Sequence, residues 1–242
     1  MGGSNWVRGS GYSSVNLMDP DKERYVLKLF HVSRKKELNH KVFITHKRRD
    51  TMLTIHTDPG VYGPEDDTFL LLEALRNEEF SGEGLEIGVG TGFIALNVCH
   101  HFKKVTGVDI NPRAVELAVT NAHVNHIENV HFFESDLFSR VDGIFDVIIC
   151  NPPYVPADEN VVSVEDVAYH GGEDGRQVID KFLVQFPQYL APAGKVYLLQ
   201  SSLSGIEKTV HTLKKMGFSS VIIARQKLFF EELVVFKIKE EE

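Results

Sequence analysis

The sequence predicts an α/β protein built on a seven-stranded, mostly parallel sheet, its last strand antiparallel, with helices on both faces. Two observations carry that prediction. From about residue 84 onward, short apolar runs alternate with amphipathic stretches of helical period, the pattern of βαβ units. The runs are also continuous rather than alternating, as strands buried on both faces must be. A glycine-rich turn directly after the first run fixes where such a sheet opens to a ligand.

The strands are read at Gly84–Ile87, Val105–Asp109, Val130–Glu134, Phe145–Cys150, Lys195–Leu199, Ser220–Ala224 and Leu228–Ile238. Their intervening helices carry end signals. Asn111-Pro112 supplies a cap and a proline at the first helical position, with Ala114, Val115, Ala118, Val119 and Ala122 assigned to one face. Ile94, Ala95, Val98, Cys99 and Phe102 form the inward face of the helix after the glycine turn. Ser204 with Glu207 reads as a capping box, Ile206, Val210 and Leu213 as the apolar stripe behind it, and Gly217 as the helix stop. No crossover-length segment separates the last two strands, so the final strand is expected to run antiparallel.

Length and composition narrow the class. The chain has 242 residues, 43% hydrophobic and 25% charged, ordinary values for a globular protein and enough for one large domain. Its apolar runs are strand-length, far below the roughly 18 residues of a membrane span. No apolar leader opens the chain, and Trp6 stands where a myristoylation signal requires Ser or Thr, so a cytoplasmic protein is expected. The two cysteines, Cys99 and Cys150, lie in apolar stretches and read as small buried hydrophobes rather than as a disulfide or metal site. His100-His101 and the His123/His126 pair lack a third ligand at fitting spacing, so no metal is expected.

Residues 1–57 read as an N-terminal extension, with a disordered start over the first 20 residues and a basic hairpin over 41–57, ahead of a main domain at 58–242. Residues 1–60 hold 11 Lys/Arg against 6 Asp/Glu, whereas residues 61–242 hold 15 against 28. A basic arm on an acidic body is either a solvated extension or a contact surface for RNA or a ribosome.

The glycine turn reads Glu86-Ile-Gly88-Val-Gly90-Thr-Gly92-Phe93. The position three beyond Gly90 is Phe93, which departs from the dinucleotide fingerprint, and no Gly-Lys-Ser/Thr is present. E-x-G-x-G-x-G is instead the pattern of enzymes that bind S-adenosylmethionine, whose ligand carries a sulfonium and an amino-acid end. Glu86 suits such a cation. Asp109 at the second strand terminus is placed to accept two ribose hydroxyls, and Asp136, with Leu137, to receive the adenine amino group.

The fourth strand ends in Asn151-Pro152-Pro153-Tyr154. Two prolines stiffen the turn. A nitrogen on an sp² carbon, as in a glutamine amide or an exocyclic base amine, is a poor nucleophile because its lone pair is delocalised. The Asn151 side-chain oxygen and the Pro152 carbonyl can each accept from such an NH₂ and aim its lone pair, while Tyr154 stacks on the planar group.

These motifs resemble the HemK-type (PrmC-type) glutamine N5-methyltransferases, in their archaeal and eukaryotic branch. The match covers NPPY at 151–154, Val61-Tyr-Gly-Pro-Glu-Asp-Asp-Thr-Phe-Leu-Leu71 against Y-x-P-x-E-D-T/S-x-L-L, and Gly171-Gly-Glu-Asp-Gly-Arg176 against G-G-x-x-G-R/L. The resemblance implies a Rossmann-like class I methyltransferase fold and methyl transfer from S-adenosylmethionine to the Gly-Gly-Gln glutamine of a peptide-chain release factor. It implies cofactor contacts at Thr68, Glu86, Gly88, Gly90, Gly92, Asp109, Asp136, Leu137 and Asn151, and substrate contacts at Asn151, Pro152 and Tyr154. A small zinc-binding activator subunit is a candidate partner on the resemblance alone. Asp66 stands where the branch has Glu, and Arg176 reads equally as a steering charge or as the partner of nearby carboxylates. Two other readings fit the same residues. One is an RNA methyltransferase acting on guanine N2 or adenine N6, for which Thr57-Asp-Pro-Gly-Val-Tyr62 resembles the T-x-P-G-V-F opening of ribosomal-RNA guanine-N2 methyltransferases. The other is a catalytically silent cofactor-binding partner.

Overall fold

The computed structural model describes residues 7–9, 12–17, 25–30, 42–48, 51–154, 172 and 174–241, with side chains from residue 53 on. Seven strands form one sheet: β6 (Glu83–Ile87), β7 (Lys104–Asp109), β8 (Val130–Glu134), β9 (Phe145–Cys150), β10 (Leu190–Ser201), β11 (Phe218–Lys227) and β12 (Glu232–Glu240). Their order is β11-β12-β10-β9-β6-β7-β8. The five from β10 to β8 pair in parallel, and β12 runs antiparallel to both β10 and β11, as the sequence predicts.

Period-two alternation sorts the buried strands between two cores. Val147, Ile149, Tyr197 and Leu199 face α1 (Asp66–Arg76), α2 (Phe93–Val98) and α3 (Pro112–Val124). Ile148, Cys150, Val196 and Leu198 face α4 (Gln177–Gln185) and α5 (Ile206–Lys215). Both faces are therefore dry, which is why these strands read as unbroken apolar runs. Each such side chain contributes about 1.5–3 kcal/mol on burial. Cys99 and Cys150 are buried free thiols.

The helix ends follow the sequence in part. Asn111 caps α3 through its side-chain oxygen, which accepts from Arg113 N–H at 3.0 Å, and Gly217 adopts φ +81 just past α5. The capping box at Ser204 and Glu207 does not form. Gly205 holds the N-cap at φ +71, and the Ser204 hydroxyl turns back onto the Ser201 carbonyl. Two inward assignments also move: Val119 and Val210 are exposed, while Asn121 and Thr209 point inward because both make buried hydrogen bonds.

The N-terminal region carries more strand than its sequence predicts. β1 (Val7–Gly9), β2 (Tyr12–Leu17), β3 (Tyr25–Phe30), β4 (Val42–Arg48) and β5 (Thr51–His56) form an antiparallel meander. The expected hairpin is its last pair, and strands β1 and β2 stand within the stretch expected to be disordered. β3, Tyr-Val-Leu-Lys-Leu-Phe, is a β-forming run on which Tyr12–Leu17 can pair.

β5 joins this meander to the main body. Leu53 and Ile55 are buried in the core of α1 to α3. The outward backbone groups of Thr54 and His56 would form an open sheet edge, but Asn121 on α3 and Asn125 at its C-cap, one turn apart, satisfy them. Each asparagine accepts an N–H at 2.8 Å and donates to the same residue's carbonyl, at 2.8 Å for Thr54 and 3.0 Å for His56. No helix among the described residues is long and apolar enough to cross a membrane.

Candidate active site

Four neighbouring parallel strands, β9, β6, β7 and β8, end side by side, and each delivers a residue singled out above. The turn after β6 places Gly88, Gly90 and Gly92 at φ +77, +51 and +80, conformations that suit glycine. A Cβ on Gly92 would lie 3.2 Å from Ala118 Cβ, so this residue also lets α2 pack on α3.

The acids around this turn are anchored rather than loose. Glu86 is 4% exposed and accepts the Ala95 N–H at 2.8 Å. Burial pushes its carboxyl well above the usual range; the Ala95 N–H opposes that rise and the nearby Asp109 adds to it. Asp109 accepts Gly90 N–H and Asn111 N–H, both at 2.9 Å, and burial raises it too. Asp136 is exposed at the end of β8, and Leu137 takes the left-handed φ of +48 while its carbonyl accepts the Ser135 hydroxyl at 2.9 Å.

At the end of β9, the Asn151 backbone carbonyl lies 3.5 Å from where a Cβ on Gly88 would sit, so the NPPY turn borders the glycine turn. The Asn151 side chain faces a group that the sequence reading passed over, Asp67, at the start of α1 and only 4% exposed. Asp67 Oδ2 accepts Asn151 Nδ2–H at 3.1 Å and lies 3.5 Å from the Tyr154 hydroxyl; the Tyr62 hydroxyl also bonds to this carboxylate. Its Oδ1 accepts the Thr68 hydroxyl at 3.1 Å.

The consequence for Asn151 is specific. A carboxylate can only accept here, so the amide must present its NH₂ to Asp67 and turn its oxygen the other way. That oxygen, Asn151 Oδ1, is buried and has no hydrogen-bond partner among the described residues. An unpaired buried acceptor costs about 1–3 kcal/mol unless something outside the chain donates to it. Burial first, then the Asp67 charge, push the Tyr62 and Tyr154 phenols up, so both stay neutral and neither serves as a base.

Asp67 is legible in hindsight. On α1 the buried positions 67, 70, 71, 74 and 75 repeat at helical spacing, so this acid lies on the apolar stripe. Tyr62 and Glu65, from the same Val61–Leu71 segment as Asp67, and Glu231, from the far end of the chain, also act on this neighbourhood; only the fold brings them to Tyr154.

Arg176 resolves toward structure. It is 3% exposed, pairs with Asp180, and donates to the carbonyls of Ser204 and Gly205 and to Thr209 Oγ1, tying α4 to the start of α5. Of its loop, Gly171 and Glu173 lie outside the described residues. Among the described residues, no three His, Cys, Asp or Glu side chains group as metal ligands.

Comparison with known proteins agrees with this geometry. A family model described as the methyltransferase small domain matches residues 52–230. The chain belongs to this methyltransferase family. A Methanocaldococcus jannaschii relative named as a protein N5-glutamine methyltransferase is 49% identical over 180 residues, covering 73% of this chain and 90% of that protein. The E. cuniculi Mtq2–Trm112 complex, described as methylating the translation termination factor eRF1, contains a chain that superposes with a TM-score of 0.62 at 26% identity. That alignment covers 76% of this chain and 99% of the solved one. The 16S ribosomal RNA guanine-N2 methyltransferase RsmC of T. thermophilus superposes with the same TM-score over 95% of this chain and 58% of its own, at 18% identity, a likeness of fold.

This member of the family is a HemK-type enzyme, and its methyl donor is S-adenosylmethionine. The residues suit that donor on their own chemistry. A buried carboxylate matches a cationic ligand, a second carboxylate is pre-oriented by two N–H groups, and the glycine turn keeps side chains out of the space beside them. Thr68, Glu86, Gly88, Gly90, Gly92, Asp109, Asp136 and Leu137 all lie on segments at or beside this one sheet edge.

Proposed function

We propose that this methyltransferase transfers a methyl group to the N5 amide nitrogen of a glutamine, in the Gly-Gly-Gln loop of a peptide-chain release factor. The observation that carries the reading is Asn151 Oδ1, buried, without a hydrogen-bond partner among the described residues, and turned away from Asp67 by the bond from its Nδ2. A primary amide donates two N–H bonds; Asn151 Oδ1 accepts one, and the backbone carbonyl of Pro152, next along the NPPY turn, is assigned the other. Accepting hydrogen bonds from both N–H groups draws the nitrogen toward tetrahedral geometry and points its lone pair along one line; as the N–C bond formed, the donor's C–S bond would break to leave a neutral thioether, and one amide proton would pass to water. Tyr154, neutral and partly buried between the two cores, stacks on the amide plane.

When bound, S-adenosylmethionine supplies an electrophilic methyl carbon on a cationic sulfur. Glu86 holds its cationic end, Asp109 its ribose hydroxyls, and Asp136 with the Leu137 backbone its adenine. Thr68, whose hydroxyl bonds to Asp67 at the start of α1, would contact the donor from that side. Residues 58–242 make up the transferase domain and residues 1–57 its appended β-rich arm, joined through β5. A small partner subunit, as Trm112 is to Mtq2 in the E. cuniculi complex, and a cytoplasmic location accompany this reading.

Support for the glutamine acceptor comes from the relatives named above, whose stated acceptors are protein glutamines or a termination factor. The second reading, an exocyclic amine of ribosomal RNA, draws on the net positive charge of residues 1–60. Incubation of the enzyme with purified release factor and with ribosomal RNA, each with labelled S-adenosylmethionine and with or without an activator subunit, separates the two. Gain of one methylene mass on the Gly-Gly-Gln glutamine is the expected result; label in RNA alone would replace it with the second reading.

A further inference from the structure

The turn between β11 and β12 carries two phenylalanines in water. Phe229 and Phe230 are 92% and 85% exposed, and their rings meet edge to face at 4.5 Å. Their position is what gives them meaning. β12 runs antiparallel to β10, with Leu233 opposite Ser201, so this turn stands at the carboxyl edge of the sheet, the edge at which β9 delivers Asn151.

The turn is held firmly. Leu228 packs on the core beneath, and its N–H donates to the Glu231 carbonyl at 2.8 Å. The Ser201 hydroxyl donates to the Glu231 carboxylate, and Glu232 N–H donates to Ser202 Oγ at 2.9 Å. β10 alone separates β12 from β9 in the sheet, so the turn stands on the same edge as Asn151, and the Glu231 charge reaches the Tyr154 phenol.

We propose that Phe229 and Phe230 form the docking surface for the polypeptide that flanks the acceptor glutamine, gripping it through apolar side chains as the glutamine enters between Asn151 and Tyr154. This rests on the glutamine reading above. Exposed aromatic pairs also serve as base-stacking platforms, but such platforms line positively charged grooves. Here Glu65, Asp67 and Glu231 converge on Tyr154, so the mouth is anionic and repels a phosphodiester strand while admitting a neutral or basic peptide. The arrangement also matches the anatomy of protein–protein contacts, in which aromatic anchors rimmed by polar groups supply most of the affinity.

The test is steady-state methylation of full-length release factor by the wild-type enzyme and by the F229A/F230A and F229L/F230L variants, with melting temperature and S-adenosylmethionine affinity measured alongside. The alanine pair is expected to raise KM about tenfold, the loss typical of truncating one or two interface anchors. Its kcat should stay within about twofold, since positioning at Asn151 is untouched. The leucine pair should recover part of the affinity, and melting and donor binding should not move. An unchanged KM, or a loss confined to kcat, in an enzyme whose wild type methylates the release factor would overturn the docking role while leaving the glutamine reading intact. Absence of methylation by the wild type, with or without an activator subunit, would overturn the glutamine reading itself. If the wild type labels only RNA and the alanine pair weakens RNA binding, the surface is a base platform and the polypeptide assignment is wrong.

Discussion

Asn151 Nδ2 donates to the Asp67 carboxylate at 3.1 Å, and this single bond decides which end of the Asn151 amide faces the acceptor site. An asparagine alone could present either donor or acceptor. With Asp67 behind it, only the acceptor faces forward, and the Asn151 oxygen is left without a partner among the described residues. Removing Asp67 should therefore damage the chemistry more than the binding of the methyl donor. For Asp67→Ala the expected loss in kcat is about 10- to 100-fold, the equivalent of one hydrogen bond to a charged group. Asp67→Asn, which still offers an acceptor to Asn151, should retain more. Single-turnover kinetics with donor affinity measured in parallel distinguish this from a loss of fold.

Glu86 gives a pH signature. Burial raises its carboxyl in the folded protein, so above the ordinary glutamate range the folded state without donor holds a proton that the unfolded chain has lost. Stability contributed by this group therefore falls as pH rises from that range toward the raised value. Glu86→Gln should flatten the dependence: equal to wild type in acid, more stable than wild type near neutrality, and weaker for S-adenosylmethionine by roughly tenfold through loss of the carboxylate. Thermal melts across pH and calorimetric titration with the donor read both effects.

Gly92 tests the backbone of the cofactor turn. At φ +80 a side chain is strained, and a Cβ there would also lie 3.2 Å from Ala118 Cβ. Gly92→Ala is expected to destabilise the fold by about 1–2 kcal/mol from the left-handed backbone alone. Chemical denaturation of the two proteins measures it.

Asn121 tests the junction of β5 with the body. Its side chain is fully buried, accepting from His56 N–H at 2.8 Å and donating to the carbonyls of His56 at 3.0 Å and Thr91 at 2.9 Å. Asn121→Ala leaves buried backbone groups unpaired at about 1–3 kcal/mol each. A drop in melting temperature, with earlier hydrogen exchange at β5 than at β9, is the expected outcome.

Much of the sheet was legible because both of its faces are dry: apolar runs such as Val147–Cys150 admit few alternatives. The glycine turn and the acids at the sheet edge were legible as a group because each follows a strand terminus. What escaped was whatever depends on partners remote in sequence. Asp67 lies 84 positions from Asn151, Asn121 lies 65 from His56, and Glu231 reaches Tyr154 from the far hairpin. Ser204 and Glu207 carry a valid capping pattern, yet Gly205 takes the cap and Arg176 binds the Ser204 carbonyl, a competition no local motif records.

Methylation of release factor by wild-type enzyme and by Asn151→Ala, followed by mass spectrometry of the Gly-Gly-Gln peptide with donor affinity checked by calorimetry, bears most directly on the proposed chemistry. The expected result is one added methylene on the glutamine with wild type, and at least about a 100-fold slower reaction for Asn151→Ala at unchanged donor affinity, as loss of the aligning acceptor requires. Undiminished transfer by Asn151→Ala, with donor affinity intact, would contradict the assignment of the amide acceptor to this residue.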